Sequence, residues 1–221
     1  MASEKLTRAT VLARALELAD TEGLPAVTIR RLAQELGVTP MALYWHFKNK
    51  ELLLIGLFDE VFAQVAVAAD PAGPWDHRLR LMVEALLRTA RRHPWISEIS
   101  AEVDKRQAES FQRGTDLALR ILAEAGFSPE RAFQVATYLL NGVMGLVVAD
   151  PCGPTGLPTE AAAEHRRLHR LELESLSPAR YPALVAYART LADEPDPETH
   201  YAFGLDLLLA GVRAMAPAQV G

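Results

Sequence analysis

The stretch Thr28–Leu54, "TIRRLAQELGVTPMALYWHFKNKELLL", holds two short helix signals separated by a tight break. Thr28 can cap a helix in which Ile29, Leu32, Ala33 and Leu36 fall at i, i+3, i+4 and i+7, a single apolar stripe. Gly37 stops that helix, because glycine enters the left-handed backbone region without a Cβ penalty. Thr39 caps the next helix, with Pro40 at its first position, where the missing N–H costs nothing. Asn49 then caps a longer run, "KELLLIGLFDEVFAQVAVAA", that reaches Asp70. Two short amphipathic helices joined by "GVT" have the spacing of a helix-turn-helix, whose second helix enters the DNA major groove. On spacing alone, a plain structural corner fits as well.

The residues themselves go further. "LAQELGV" followed by "LYWHFKNK" resembles the signature of the TetR family of bacterial transcriptional repressors, with a likeness running from about Leu6 to Phe62. It is especially similar to the tetracycline-repressor type, and "YAFGLDLLLAGV" at 201–212 resembles the last helix of that type's C-terminal domain. The resemblance implies an all-α homodimer. It also implies an N-terminal three-helix DNA-binding domain, here 5–65, and a larger ligand-binding and dimerisation domain, here 66–216.

Four aromatic residues in a row, Tyr44 to Phe47, cannot all face one core. At about 100° per residue, Leu43 and Phe47 share a side with Pro40. Both are expected in the core of the head, against Leu32 and Leu36. Tyr44 and His46 then suit phosphate contact, which fixes register without carrying sequence information. Trp45 either joins them or covers the flank of the domain. Thr39, Pro40, Met41 and Ala42 open the recognition helix and are expected at base edges. Pro40 and Ala42 can offer only apolar contact, for example to a thymine methyl. Tetracycline repressors carry Gln-Pro-Thr at the positions matching 40–42, so their operator sequence does not carry over. Arg30 matches an arginine that reads guanine in them, and Thr28, Lys48 and Lys50 complete the expected DNA contacts.

Beyond the head, turn residues mark helix after helix: Trp75–Arg92, Trp95–Glu102, Arg106–Ala125, Ser128 to about Asp150, Thr159–Leu176, Pro178–Ala192 and Glu198–Ala214. No period-2 strand stands out, so the expected class is all-α. "DPCGPTGLP" at 150–158 reads as a loop. Residues 1–50 carry seven Lys/Arg and five Asp/Glu, against totals of 23 and 28, so a mildly basic head joins an acidic body. The sole cysteine, Cys152, can form no internal disulfide. The N-terminus has no apolar h-region, and neither Leu52–Phe58 nor Leu139–Ala149 approaches the ~20 residues of a membrane span. The expectation is a cytoplasmic protein with no membrane partner.

The resemblance implies a cavity in the body for a small, largely apolar effector. Candidate lining residues are Phe58, Phe62, Met82, Leu86, Trp95, Phe111, Tyr138, Asn141 and Met144, although rings and methionines at helical spacing also serve as plain core. Asn141, a lone amide in an apolar helix, needs a partner if buried; a ligand or the opposite helix of a dimer would serve. The eighth and last helices are apolar around much of their circumference, which implies burial on two sides. The resemblance makes them a four-helix dimer interface, with Gly142, Gly145, Leu205, Leu208, Leu209 and Val212 as contacts. His165 and His169 have the i, i+4 spacing of zinc ligands, but Arg166, Arg167 and Arg170 surround them, so no metal or other cofactor is expected. No G-x-S-x-G, P-loop or dinucleotide fingerprint occurs, which argues against an enzyme. The expected function is a ligand-responsive repressor that binds a palindromic operator as a homodimer. A ligand-blind structural DNA-binding protein, or an activator of the same family, is the alternative.

Overall fold

The computed structural model describes residues 6–66, 73–149, 159–191 and 196–217, and among these it contains α-helices, two 3-10 turns and no strand. The head is α1 (Arg8–Glu22), α2 (Ile29–Glu35) and α3 (Pro40–Tyr44). Their starts are fixed by the capping oxygens that the sequence supplies. Thr7 accepts from the Thr10 amide, Thr28 from Arg31, and Thr39 from Ala42. Gly37 sits at φ 64°, and the Gly37 and Val38 amides bond the Gln34 and Ala33 carbonyls at 3.2 and 3.0 Å. That closure makes the turn so tight, and a side chain at Gly37 would strain it.

α4 (Lys50–Ala66) belongs to both parts of the molecule. Asn49 caps it by accepting from the Leu52 amide at 2.8 Å. Its first half packs on α1, and the rest packs on α5 (Trp75–Arg92), α6 (Ile96–Glu102) and α7 (Glu109–Glu124). The expected continuation to Asp70 falls on residues outside those described. α8 (Pro129–Val148) lies against α5 and α7, and α11 (Pro197–Met215) lies against α8 and α5. By length and composition α8 could cross a bilayer. It is nonetheless held on one side by those neighbours, with Val135, Leu139, Val143 and Val147 buried. α9 (Thr159–Glu174) and α10 (Pro182–Thr190) pack chiefly on each other as a hairpin.

Two expected boundaries shift for local reasons. The helix placed at Arg106 starts at Glu109, because Asp104 caps a separate 3-10 turn, Lys105–Gln107. The helix placed at Pro178 starts at Pro182, because the Arg180 and Tyr181 amides close a turn on the Ser177 carbonyl. The loop at 150–158, with Cys152, lies outside the described residues.

Head and body are joined by packing and by polar fasteners. A Cβ at Gly56 would meet Leu12, Arg8 and Phe47 at 3.1–3.2 Å, so glycine allows α4 to lie close to α1 and to the end of the recognition segment. Asp20, on α1, accepts from His93 Nδ1 at 2.8 Å and from Trp95 Nε1 at 2.7 Å, both in the α5–α6 connection. Within the body, Asp59 of α4 accepts from the Ser110 amide at 2.6 Å and so caps α7 from another helix.

Candidate DNA-binding face and ligand cavity

In the recognition segment, burial divides the aromatic run as the helical angle requires. Leu43 and Phe47 are fully buried with Leu32, and Leu36 packs partly buried against the same core. Regular helix ends at Tyr44, yet the Phe47 amide still bonds the Leu43 carbonyl at 2.9 Å, which keeps Phe47 on the inner side. Trp45 is 86% exposed, so it does not cover the flank of the domain. Thr39, Pro40, Met41 and Tyr44 are exposed, whereas Ala42 and His46 are half-buried. Arg8 stacks on the Phe47 ring at 4.4 Å and braces the end of the segment.

The cations of the head separate into two groups. Arg14 is paired with Glu17 and Glu35, and Arg31 is paired with Glu22 at 2.7 Å and Glu35 at 2.9 Å. The hydrogen bond from Arg14 holds the Glu35 carboxyl below its ordinary range. Arg30, Lys48 and Lys50 are exposed, with no carboxylate pairing with them among the described residues. They are therefore free to meet an external anion. Thr28 is half-buried, and although its oxygen caps α2, its O–H can still donate outward.

The body holds a cavity of about 630 Å³, partly open to solvent, between α4, α5, α7 and α8 and the Lys105–Gln107 turn. That volume suits a drug-sized molecule. Of the residues expected to line it, Phe62, Met82, Leu86, Phe111 and Asn141 do. Phe62 and Phe111 meet edge to face with centroids 5.0 Å apart. The other four lie elsewhere. Phe58 is fully buried behind that ring pair, and Met144 is 8% exposed within the core. Tyr138 is 72% exposed on the outer side of α8. Trp95 is buried at the head–body junction, because its indole N–H found an acceptor in Asp20. Asn141 is exposed at the cavity wall, so it is not a buried amide in need of a partner.

Sequence reasoning missed Phe133, Thr115, Thr137, Lys105 and Arg106, which also line the cavity. Thr115 and Thr137 donate to the Phe111 and Phe133 carbonyls at 2.9 and 2.8 Å, which leaves their oxygens free to accept. Arg106 is clamped on Asp104 at 2.8 and 3.0 Å. Hydrogen bonds from Arg106 and Gln107 hold the Asp104 carboxyl far below its ordinary value.

Of the expected dimer contacts, Gly145 is open and exposed, whereas the others are taken up by packing within the protomer. Leu205, Leu209 and Val212 are buried inside the protomer. Gly142 receives Leu208 of the same chain, with Leu208 carbons 2.8–3.4 Å from where its Cβ would stand, and Gly204 receives Leu146. These glycines let α8 and α11 approach each other within one subunit. The apolar surface lies on the opposite sides: Tyr138 and Val148 on α8, Phe203, Leu207 and Met215 on α11, with Gly145 and Gly211 open beside them. His165 and His169 are exposed on α9, and the neighbouring Glu164 is paired with Arg167 at 2.7 Å.

A three-helix helix-turn-helix head, one long helix shared with the body, and a ligand-sized cavity in that body define a transcriptional regulator of the one-component kind. Comparison with known proteins identifies the family. Residues 11–57 match the family described as bacterial regulatory proteins, tetR family, and residues 67–216 match the tetracyclin repressor-like C-terminal domain. The chain belongs to the TetR family. It is 30% identical over 211 residues to the tetracycline repressor protein class C of Escherichia coli, covering 96% of this chain and 92% of that protein. It is 28% identical over 223 residues to the transcriptional repressor DrrR1 of Streptomyces coeruleorubidus, covering 98% and 80%. Among solved structures, ActR of Streptomyces coelicolor in complex with actinorhodin superposes with TM-score 0.81 at 26% identity, covering 97% of this chain and all of that one.

Proposed function

We propose that this protein is a ligand-responsive transcriptional repressor that binds a palindromic operator as a homodimer and leaves it when a small molecule fills the cavity. The observation that carries this reading is α4. Its first turns pack on the head beside Phe47, while Phe62 and Val65, toward its other end, form cavity wall. A molecule that favours one tilt of α4 therefore favours one position of the head, and only such differential affinity moves the equilibrium. The ligand complexes of relatives such as ActR support the same reading of the cavity.

On DNA, Arg30 reads guanine, and Thr39 to Ala42 meet base edges. Thr28, Tyr44, Trp45, His46, Lys48 and Lys50 brace the phosphates. The apolar sides of α8 and α11, centred on Tyr138, Phe203 and Leu207, join two copies, and residues 5–65 and 66–216 act as head and body. Selection of binding sites from random duplexes, at fixed salt, tests the core of this reading. The expected product is an inverted repeat whose half-sites lie one helical turn apart, about 34–36 Å. Enrichment of unpaired half-sites, or of no sequence at all, would contradict it.

A further inference from the structure

The cavity joins aromatic walls to a cation that no carboxylate among the described residues pairs with. Lys105, Arg106 and Asp116 are the charged side chains among its lining residues. Arg106 is bound to Asp104, and Asp116 is bound to Arg120 at 3.0 Å. Lys105 pairs with no carboxylate among the described residues; it is half-buried, with its ammonium 5.9 Å from the centroid of the Phe111 ring. The hydroxyls of Thr115 and Thr137 already donate to backbone carbonyls, and Gln112 gives one amide N–H to the Arg106 carbonyl. The donors left at the cavity wall are therefore Lys105, the Asn141 amide, the second Gln112 N–H and the Arg106 N–H groups not held by Asp104; of these, Lys105 is the cation without a carboxylate partner among the described residues. The rings of Phe62, Phe111 and Phe133 supply flat apolar surface between them.

A neutral molecule seated against the half-buried Lys105 would take part of the water from its ammonium without supplying a counter-charge, and desolvating an unpaired charge costs free energy. We propose that the cavity selects aromatic acids: planar, mostly apolar molecules whose anionic group pairs with Lys105 while their rings lie against Phe62, Phe111 and Phe133. The assignment rests on the reading of the cavity as an effector site, and it deepens that reading by naming the ligand class.

Two fluorescent probes of similar shape separate charge from apolar area: the anion 1-anilinonaphthalene-8-sulfonate and the uncharged N-phenyl-1-naphthylamine. Both are titrated into the full chain and three variants. Lys105→Met should weaken the anion about tenfold, the loss of one charge-assisted hydrogen bond, and leave the neutral probe within about twofold. Lys105→Arg should keep anion binding, and Leu86→Trp, which fills the cavity, should weaken both probes. Equal loss of both probes in Lys105→Met, no loss of the anion, or retention of the anion in Leu86→Trp would each overturn the proposal. Operator release is read separately by gel shift. Release driven by neutral compounds, and insensitive to Lys105→Met, would overturn the aromatic-acid assignment and leave the regulator reading intact. Anion selectivity at Lys105 without operator release would keep the assignment and defeat the regulator reading.

Discussion

Replacing Asp20 by alanine removes the acceptor at the head–body junction. Two donors then lose their partner: His93 Nδ1–H, now 2.8 Å from the carboxylate, and Trp95 Nε1–H, at 2.7 Å. Both rings are buried, at 2% and 5% exposure, so each stranded donor costs about 1–3 kcal/mol. The Asp20 side chain itself is 30% exposed, so water can enter part of the vacated space. The lower half of the range therefore applies, about 3 kcal/mol in total. For a chain of this length, that lowers the melting temperature by about 6–12 °C. Urea and thermal unfolding followed by circular dichroism measure it. Asp20→Asn keeps an acceptor oxygen and should lose about half as much. A double-mutant cycle with Trp95→Phe should show coupling of about 1 kcal/mol or more, because both changes remove the same hydrogen bond. An Asp20→Ala variant as stable as the parent, or strictly additive with Trp95→Phe, would refute the fastener.

Three further outcomes follow from other parts of the molecule. Phe203→Asp combined with Leu207→Asp, at positions 70% and 64% exposed, should turn a dimer into a monomer in sedimentation equilibrium while leaving helix content unchanged; a dimer that persists would place the interface elsewhere. Tyr44→Ala should weaken binding to every duplex by a similar factor, about 0.5–1.5 kcal/mol for one hydrogen bond, without changing the preferred sequence. A changed preference in repeated site selection would make Tyr44 a base reader. The Asp104 carboxyl is held below its ordinary value of 3.8 by Arg106, so its contribution is present above that value and is lost only as pH falls through the lowered folded-state value. Thermal stability should therefore not change on account of Asp104 between pH 7 and 5, whereas Asp104→Asn, which weakens the cap of the Lys105–Gln107 turn, should lower it by a similar amount at both; a pH-dependent difference between parent and variant within that window would contradict the capped turn.

Much of the head could be read directly from the sequence, because its signals are local. Thr28, Thr39 and Asn49 cap helices through amides three residues on, and Gly37 closes its turn through neighbouring carbonyls. The inward side of the recognition segment followed from helical angle. What failed depended on partners distant in sequence. Trp95 read as cavity wall because an isolated aromatic gives no hint of its acceptor, which lies 75 residues away. Leu205, Leu209 and Val212 read as interface because α11 is apolar on several sides, and periodicity then cannot say which side the same subunit covers. The cap on α7 comes from Asp59 on another helix, so the sequence around Glu109 carries no sign of it. Lys105 escaped notice because its significance lies in having no carboxylate partner among the described residues, which only packing reveals.

The central claim is that a molecule in the body changes the spacing of the heads through α4. Spin labels at Gln34→Cys, an exposed position on α2 outside the proposed DNA contacts, in a Cys152→Ser background, report that spacing by pulsed dipolar spectroscopy. The measurement compares the operator complex, the free protein, and the protein with whichever compound releases operator in gel shift. The expected result is a narrow distribution on operator, matching half-sites about 34–36 Å apart, and one displaced by several ångströms with ligand. Operator release with the mean and width of the distribution unchanged would contradict the claim.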